Sequence, residues 1–486
     1  MGLTAPQAAA HINRLYSELS KRRPNVGRWE SYFKGDHRLK FASPEWQQFH
    51  HDRFAGFADN WCGVVGSAAP DRTEFYGLRL GDDAEVMSDD ERALWRDWEA
   101  VGGPEKAAQG LLTSSYASTS FALVWGRADG EPLLTWERPD QAIVEYDAET
   151  GDPLRGLKSW LDEDGEHATL YEGGEELWRM SRPKSYAGST GLIVPASYSQ
   201  MAGGWAERSG APVWSPNPLG LLPLVEFPNR PLLAAASSFG HEPVSEISGT
   251  AAMQDAINLM WAYLFSAADW ASMPGRVVMG QEPPKMPILD ENGQKIGEKA
   301  VDVEALKQGR LLWLTGQNTT IGQWEAAKLD IFTSVVNVML RHVSAQTSTP
   351  IYLIHGELGN VNGETLQGLD SALVTKVRRG NKFRTRPTRE VFRRLAMVRN
   401  NRAVAELCRT ADVQWKNPAT LLDSQVSDAA LKDKHIGWPL AAILERRYGM
   451  SQPEIDRVMR QRDAEALADP ELAAIGKLAG GGAVAG

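Results

Sequence analysis

The sequence predicts an α+β protein, and three observations carry that reading. Long stretches place apolar residues at helical spacing, while a middle section, residues 121–230, breaks into short alternating runs separated by turn signals. Two of the longest helical stretches also flank an insert of mixed character that contains a hairpin signal.

Taken in order, residues 11–110 read as mostly helical with a Trp- and Phe-rich middle. Strand-like pieces punctuated by ETGDP, EDG and EGGE follow, which predicts an antiparallel meander, and PLGLLPLVEFPNRP closes it with prolines that exclude helix. Helix is predicted to return at Ser245. One stripe runs through Ile247, Ala251, Gln254, Asn258, Trp261, Phe265 and Ala268, and a second through Met253, Ile257, Met260, Leu264, Ala267 and Ala271, so two faces are expected to be covered. About fifty mixed residues include LDENGQKIG, whose Asn292-Gly293 pair predicts a hairpin. A second multi-striped helix is expected from about Gln323 to Ala345, with Leu329, Phe332, Val336, Met339 and Val343 on one face and Ile331, Val335 and Val338 beside them. A third begins near Gly363, and Gly380 and Pro387 are expected to kink or break it before helix resumes at Val391. A small helical unit covers about 418–476, with SQPE at 451–454 as a capping box, and the final GKLAGGGAVAG is expected to be disordered.

Composition bounds the function classes. The 486 residues allow two to four domain-sized units, and 42% apolar with 23% charged residues is ordinary for a chain with a sizeable core. A formal charge of −10 argues against tight, sequence-independent nucleic-acid binding over the whole surface. Only Cys62 and Cys408 are present, so neither a disulfide framework nor a cysteine-rich zinc site is expected, and a reducing compartment fits. The N-terminus has no secretory pattern, and the most apolar window, 256–268, is shorter than the roughly 20 residues that span a bilayer.

Chemistry is hard to find. The P-loop, zincin, nucleophile-elbow and dinucleotide-binding strings are all missing from the sequence. Ser181 opens an S-x-x-K string without its companion elements, and LDEDGEH at 161–167 lacks the glycine and glutamate of a calcium loop and reads as a solvated turn. His50 and His51 read as a surface pair, since adjacent residues do not converge on one ion from a helix. Seventeen tryptophans with an acidic balance raise a carbohydrate-active alternative, but no carboxylate pair is singled out and core packing explains most of them. No catalytic residue, cofactor or metal is expected, and the chain is read as a non-enzyme.

Two stretches remain. TSTPIYLIHGELGNVNGETL, residues 347–366, is Gly-rich and nearly uncharged; ordering such a loop costs on the order of 20 kcal/mol, which predicts that it is mobile or held by a partner. KVRRGNKFRTRPTREVFRR, residues 376–394, carries nine basic residues against Glu390. It includes Lys376, Arg378, Arg379, Lys382, Arg384 and Arg386, and reads as a solvated or salt-bridged face or as a surface facing phosphates or an acidic neighbour.

Several segments, taken together, resemble the portal proteins of tailed double-stranded DNA bacteriophages with long non-contractile tails. YFKGDHRLKFA (32–42) looks like the family's Y-x-x-G-x-H-x-L-x-F signature, and NWCGVVGSAAPDR (60–72) like the helix after it. PDQAIVEYDAETGDPLRGLKSW is similar to the wing strands, PLVEFPNRP to the lead into the first stem helix, and TSTPIYLIHGELGNVNGETLQGLDSALVTKVRR to the tunnel loop and following helix. VQWKNPATLLDSQVSDAALKDKHIGWP with LERRYGMSQPEIDRV is similar to the C-terminal crown. Gly363 stands where relatives often have serine, and Gly66-Ser67 where many have valine and aspartate, which predicts small effects on capping and packing.

The resemblance spans nearly the full chain and implies a portal fold: an α/β wing, long stem helices, a small α/β clip and a helical crown. By position the wing is 1–243, the stem helices 244–273 and 323–346, the clip 274–322, the tunnel loop 347–363, the kinked wing helix 364–415, the crown 416–476 and a tail 477–486. It further implies a ring of subunits, typically dodecameric, at the unique capsid vertex, assembled in the host bacterial cytoplasm. Double-stranded DNA passes through such a ring, which binds the large terminase subunit, a head-to-tail connector or adaptor, the major capsid protein and a scaffolding protein, with no membrane. Location alone then marks Lys328, Arg341, His355 and Asn360 as DNA-channel candidates and Tyr352, Leu353, Ile354, Gly356 and Gly359 as tunnel-loop candidates. The alternatives are a carbohydrate-active enzyme or another minor head protein of a virion.

Overall fold

The structure is a computed structural model that describes residues 2–37, 39–40, 43–44, 57–81, 88–183, 202–208, 210–233, 240–272, 276–279, 285–289, 294–300, 311–314, 320–323, 328–355, 363–419 and 423–468. The tail at 477–486 and the histidines at 50 and 51 lie outside these residues. The chain divides into two compact units: Met1–Gly35 with Asn60–Ala251 and Ser344–Gly486, and Asp36–Asp59 with Ala252–Val343.

The larger unit is built on two sheets. Helix Ala5–Lys34 opens it, and Ala8, Ala9, Ile12, Leu15 and Leu19 recur at three- and four-residue steps on its buried face. That face covers an antiparallel sheet through Ile143, Leu157, Ala168, Leu170, Met180 and Trp205. The sheet is a meander of Ala142–Tyr146, Pro153–Leu161, Glu166–Glu172 and Glu176–Arg182, each strand paired with the next. Asp162, in the stretch considered as a calcium loop, accepts the backbone N–H groups of Asp164 and Gly165 in the turn between two of these strands.

The second sheet pairs Thr119–Gly126 with Pro132–Glu137 on one side and Leu224–Pro228 on the other. Helices Asp89–Ala100, Gly103–Ala117 and Gly363–Val398 contribute to one core with it, through Trp98, Leu111, Val124, Phe227, Phe392 and Leu395. Residues 11–110 are mostly helical, as expected, with one strand among the described residues. Phe75–Arg79 is a strand that pairs with Asp412–Trp415, because Phe75 is drawn into an aromatic group with Trp98 (5.2 Å), Trp415 (5.6 Å) and Phe392 (6.1 Å).

Helices Asp423–His435, Leu440–Tyr448 and Gln452–Ala468 follow. The capping residues Ser451 and Glu454 meet, but the serine hydroxyl donates to the Glu454 carboxylate at 2.8 Å while that carboxylate also accepts the Ser451 N–H at 2.9 Å.

In the smaller unit, helix Ala251–Ser272 begins later than the expected Ser245. The Ser245 hydroxyl accepts the Ile247 N–H and donates to the Tyr116 carbonyl, so residues 245–250 form turns that compete with a helical start. One expected apolar stripe is instead a polar network. Gln254 and Asn258 are buried, Asn258 Oδ1 accepts from Gln254 (3.0 Å) and from the Asp59 N–H (2.9 Å), and Trp261 donates to Asp59 at 2.8 Å. His37, in the 32–42 signature, reaches Asn258 at 3.1 Å.

Strand Arg276–Met279 runs parallel to Leu311–Leu314 and antiparallel to Thr320–Gln323. The hairpin predicted from Asn292-Gly293 is present as Lys285–Leu289 against Lys295–Ala300, with its turn outside the described residues. Because Gln323 ends a strand, the next long helix is Asp330–Thr347, seven residues later than expected.

Candidate functional site

The functional candidates fall on the turn after helix Asp330–Thr347, the short segment beyond it, and helix Gly363–Val398. The turn is built from small polar residues. Ser348 adopts φ 54°, Ser344 donates its hydroxyl to the Thr349 carbonyl at 2.7 Å, and Thr347 and Thr349 hydroxyls meet at 2.9 Å. Pro350 leads into a short helix, Ile351–His355, where an unstructured loop is expected.

That helix carries Tyr352, Leu353 and Ile354 of the segment expected to be mobile or held by a partner, and it is tethered within its own chain. The Tyr352 hydroxyl donates to Asp370 and accepts from Arg72 at 2.8 Å, and Arg72 also donates to Asp370 at 2.9 Å. Burial, and then the hydrogen bond to Asp370, push the Tyr352 phenol above its ordinary value. Ile354 is buried and Leu353 is 37% exposed. Neither Arg72 nor Asp370 was marked by the sequence, because 298 residues separate them and only the fold brings them together. Gly356, Gly359 and Asn360 lie outside the described residues, as does the side chain of His355. Lys328 and Arg341 are exposed, and neither makes an ion pair among the described residues.

Of the kink or break expected at Gly380 and Pro387, a break does not occur: helix Gly363–Val398 is continuous through both. Leu373 and Val377 pack with Ala68 and Ala69 on one side of these positions, and Val391, Phe392 and Leu395 enter the main core on the other. Burial at both ends outweighs about 3 kcal/mol for the proline.

The basic run therefore winds around one helix and is not a single face. Lys376 is largely buried, ion-paired with Glu246 and donating to the Thr347 carbonyl at 2.6 Å. Arg384 is 4% exposed, and burial pushes its guanidinium down to about 10. Arg394 is buried as well, donating to the Leu222 carbonyl and to Glu390. Arg378, Arg379, Lys382 and Arg386 remain exposed; Arg378 reaches Asn417 at 3.3 Å and Arg386 lies 3.6 Å from Asp152.

Lys376, Arg379, Gly380 and Arg384 wall a cavity of about 290 Å³ with Gln346, Thr347 and Ser348 of the turn and Asn229, Arg230 and Glu246. Among the described residues no group of three His, Cys, Asp or Glu is placed to hold a metal ion, and no helix is long and apolar enough to cross a membrane.

These features define a mixed α+β chain whose larger unit holds two antiparallel sheets of three or more strands, together with an uninterrupted 36-residue helix. No protein-family model and no curated protein matches it. Among solved structures it is similar to a chain of the neck of an empty gene transfer agent particle, at 12% identity and TM-score 0.41, covering 82% of this chain and 91% of that one. A chain of the native gene transfer agent virion is similar at 11% identity and TM-score 0.37, covering 77% and 83%. At such identities and TM-scores neither likeness establishes a shared fold or a function.

Proposed function

We propose that this chain is the subunit of a portal ring at the unique vertex of a bacteriophage capsid, a structural protein and not an enzyme. The ring forms the channel through which double-stranded DNA is packaged and ejected, and it docks the large terminase subunit and then a head-to-tail connector. The resemblance of segments spread over nearly the full sequence supports this reading, and one observation carries it into the structure. Helix Asp330–Thr347 has two apolar faces: Val336, Leu340 and Val343 are buried, while Ile331 (60%), Val335 (37%) and Val338 (50%) are exposed. At about 100° per residue these two triplets are centred roughly 140° apart. A helix with a second, open apolar stripe fits a subunit that meets further copies of itself, and a closed ring needs two different complementary surfaces on each copy.

Within this proposal, Lys328, Arg341 and the 347–363 segment face the channel. The Tyr352–Arg72–Asp370 tether anchors one end of that segment. The test is the mass of the purified protein by light scattering with negative-stain images of the same fraction. Rings with a central hole at a multiple of 53.5 kDa are expected. A species that stays at 53.5 kDa with capsid and scaffolding partners present, or that cleaves a glycan, overturns the reading.

A further inference from the structure

The cavity beside helix Gly363–Val398 has a charge pattern that the portal reading does not use. Four cationic side chains line it, Arg230, Lys376, Arg379 and Arg384, against the single carboxylate of Glu246. That carboxylate is already engaged: Lys376 is in contact with it and Arg230 lies 3.7 Å away. Arg384 is the odd member. It is 4% exposed, yet among the described residues its guanidinium makes no ion pair and one hydrogen bond, to the Thr73 hydroxyl at 3.3 Å. Thr73 in turn donates to the Ala69 carbonyl at 2.8 Å, so the hydroxyl contributes an oxygen and no charge.

A guanidinium has five N–H donors in a planar fork, and burying it without a carboxylate is costly. The backbone keeps it there. A Cβ on Gly380 would stand 2.7 Å from Arg384 Nη1, so the glycine leaves room for the arginine to fold back over its own helix one turn earlier. Arg379 and Arg230 are exposed at the mouth of the same cavity. A buried cation with unused donors, an open volume larger than a phosphate group and further cations at the entrance together form an oxyanion receptor.

We propose that this cavity binds a phosphate group, held by Arg384 in the interior and by Arg379 and Arg230 at the mouth. The inference does not rest on the portal reading, since it uses only the geometry within the larger unit. An excess of positive charge favours a dianion over a monocarboxylate. The near-complete burial of Arg384 favours a free ion over a phosphate that is part of a duplex.

Isothermal titration of the full-length protein with inorganic phosphate, at constant ionic strength maintained with chloride, tests the site. Saturable binding is expected, with acetate weaker by about tenfold or more and phosphate affinity reduced about tenfold by Arg384→Gln. Because that variant removes a buried group, two others keep the test open. Gly380→Ala displaces the guanidinium without removing its charge and is expected to weaken phosphate about tenfold, and Arg379→Gln, at an exposed position, about threefold. Adding a short DNA duplex identifies the source: undiminished phosphate binding points to the free ion, and competition lost in Arg379→Gln points to a backbone phosphate. Absence of saturable binding, acetate binding as tightly as phosphate, or affinity unchanged in both Gly380→Ala and Arg379→Gln overturns the proposal.

Discussion

Asp370 sits at the centre of a three-residue contact, 1% exposed, with the Arg72 guanidinium and the Tyr352 hydroxyl both directed at it. Removing its charge in Asp370→Asn strands Arg72 in a half-buried site, and a loss of about 3 kcal/mol in urea unfolding is expected. Tyr352→Phe removes one hydroxyl and should cost only about 1 kcal/mol in the same measurement. A second titratable contact joins His241 to Glu226 at 3.4 Å, with Tyr146 and Thr119 hydroxyls also donating to that buried carboxylate. Burial pulls the imidazole down, but the hydrogen bond to Glu226 and its charge outweigh this and raise it above 6.5. A raised folded-state value means that the contact stabilises fully below pH 6.5 and fades as pH rises through the folded value. Thermal melts of His241→Gln should therefore show their largest deficit just below pH 6.5, and a deficit that shrinks as pH rises through the folded-state value of the imidazole. At this scale the basic run was legible in the sequence, but its sorting was not. Lys376 and Arg384 are inside because Glu246 and Thr73, from distant segments, meet them, and no local pattern announces either partner.

Elements whose signals are local follow the sequence, and those decided by distant packing depart from it. The meander strands, the Lys285–Leu289 hairpin and the start of helix Gly363–Val398 all sit where alternation, Asn-Gly and the apolar stripe place them. Strand Phe75–Arg79 does not, since its partner Asp412–Trp415 lies more than 300 residues away and its aromatic contacts are assembled only on folding. The uninterrupted helix through Pro387 shows the same competition, with two anchored ends overriding a local breaker. Packing is correspondingly intolerant where elements touch closely. A Cβ on Gly110, in helix Gly103–Ala117, would meet the Trp136 ring at 1.9 Å and displace an indole that donates to Ser120 at 2.9 Å. Gly110→Ala is expected to lower stability by about 3 kcal/mol despite the better helix propensity of alanine, which denaturant unfolding checks directly.

For the whole molecule, the decisive question is what covers the second face of helix Asp330–Thr347. Periodicity alone already placed two stripes on each long helix, but it could not say which would be covered by the chain itself. Within the smaller unit Asp59 satisfies the polar stripe of helix Ala251–Ser272, whereas Ile331, Val335 and Val338 stay exposed. Burying an apolar side chain of this size contributes about 1.5–3 kcal/mol, so three of them at every contact of the proposed ring would form a substantial part of the association energy. A charge in the middle of that stripe adds desolvation to the loss, while leaving the folded subunit almost unaffected because Val338 is already half-exposed. Val338→Asp should therefore melt within about a degree of the parent protein, yet run at 53.5 kDa under conditions where the parent forms larger species. Light scattering reads the mass, and circular dichroism reads the melt. If the variant assembles as well as the parent, this stripe is not the contact between copies. If it unfolds, the stripe serves the subunit's own fold and the proposed ring would need other surfaces to close.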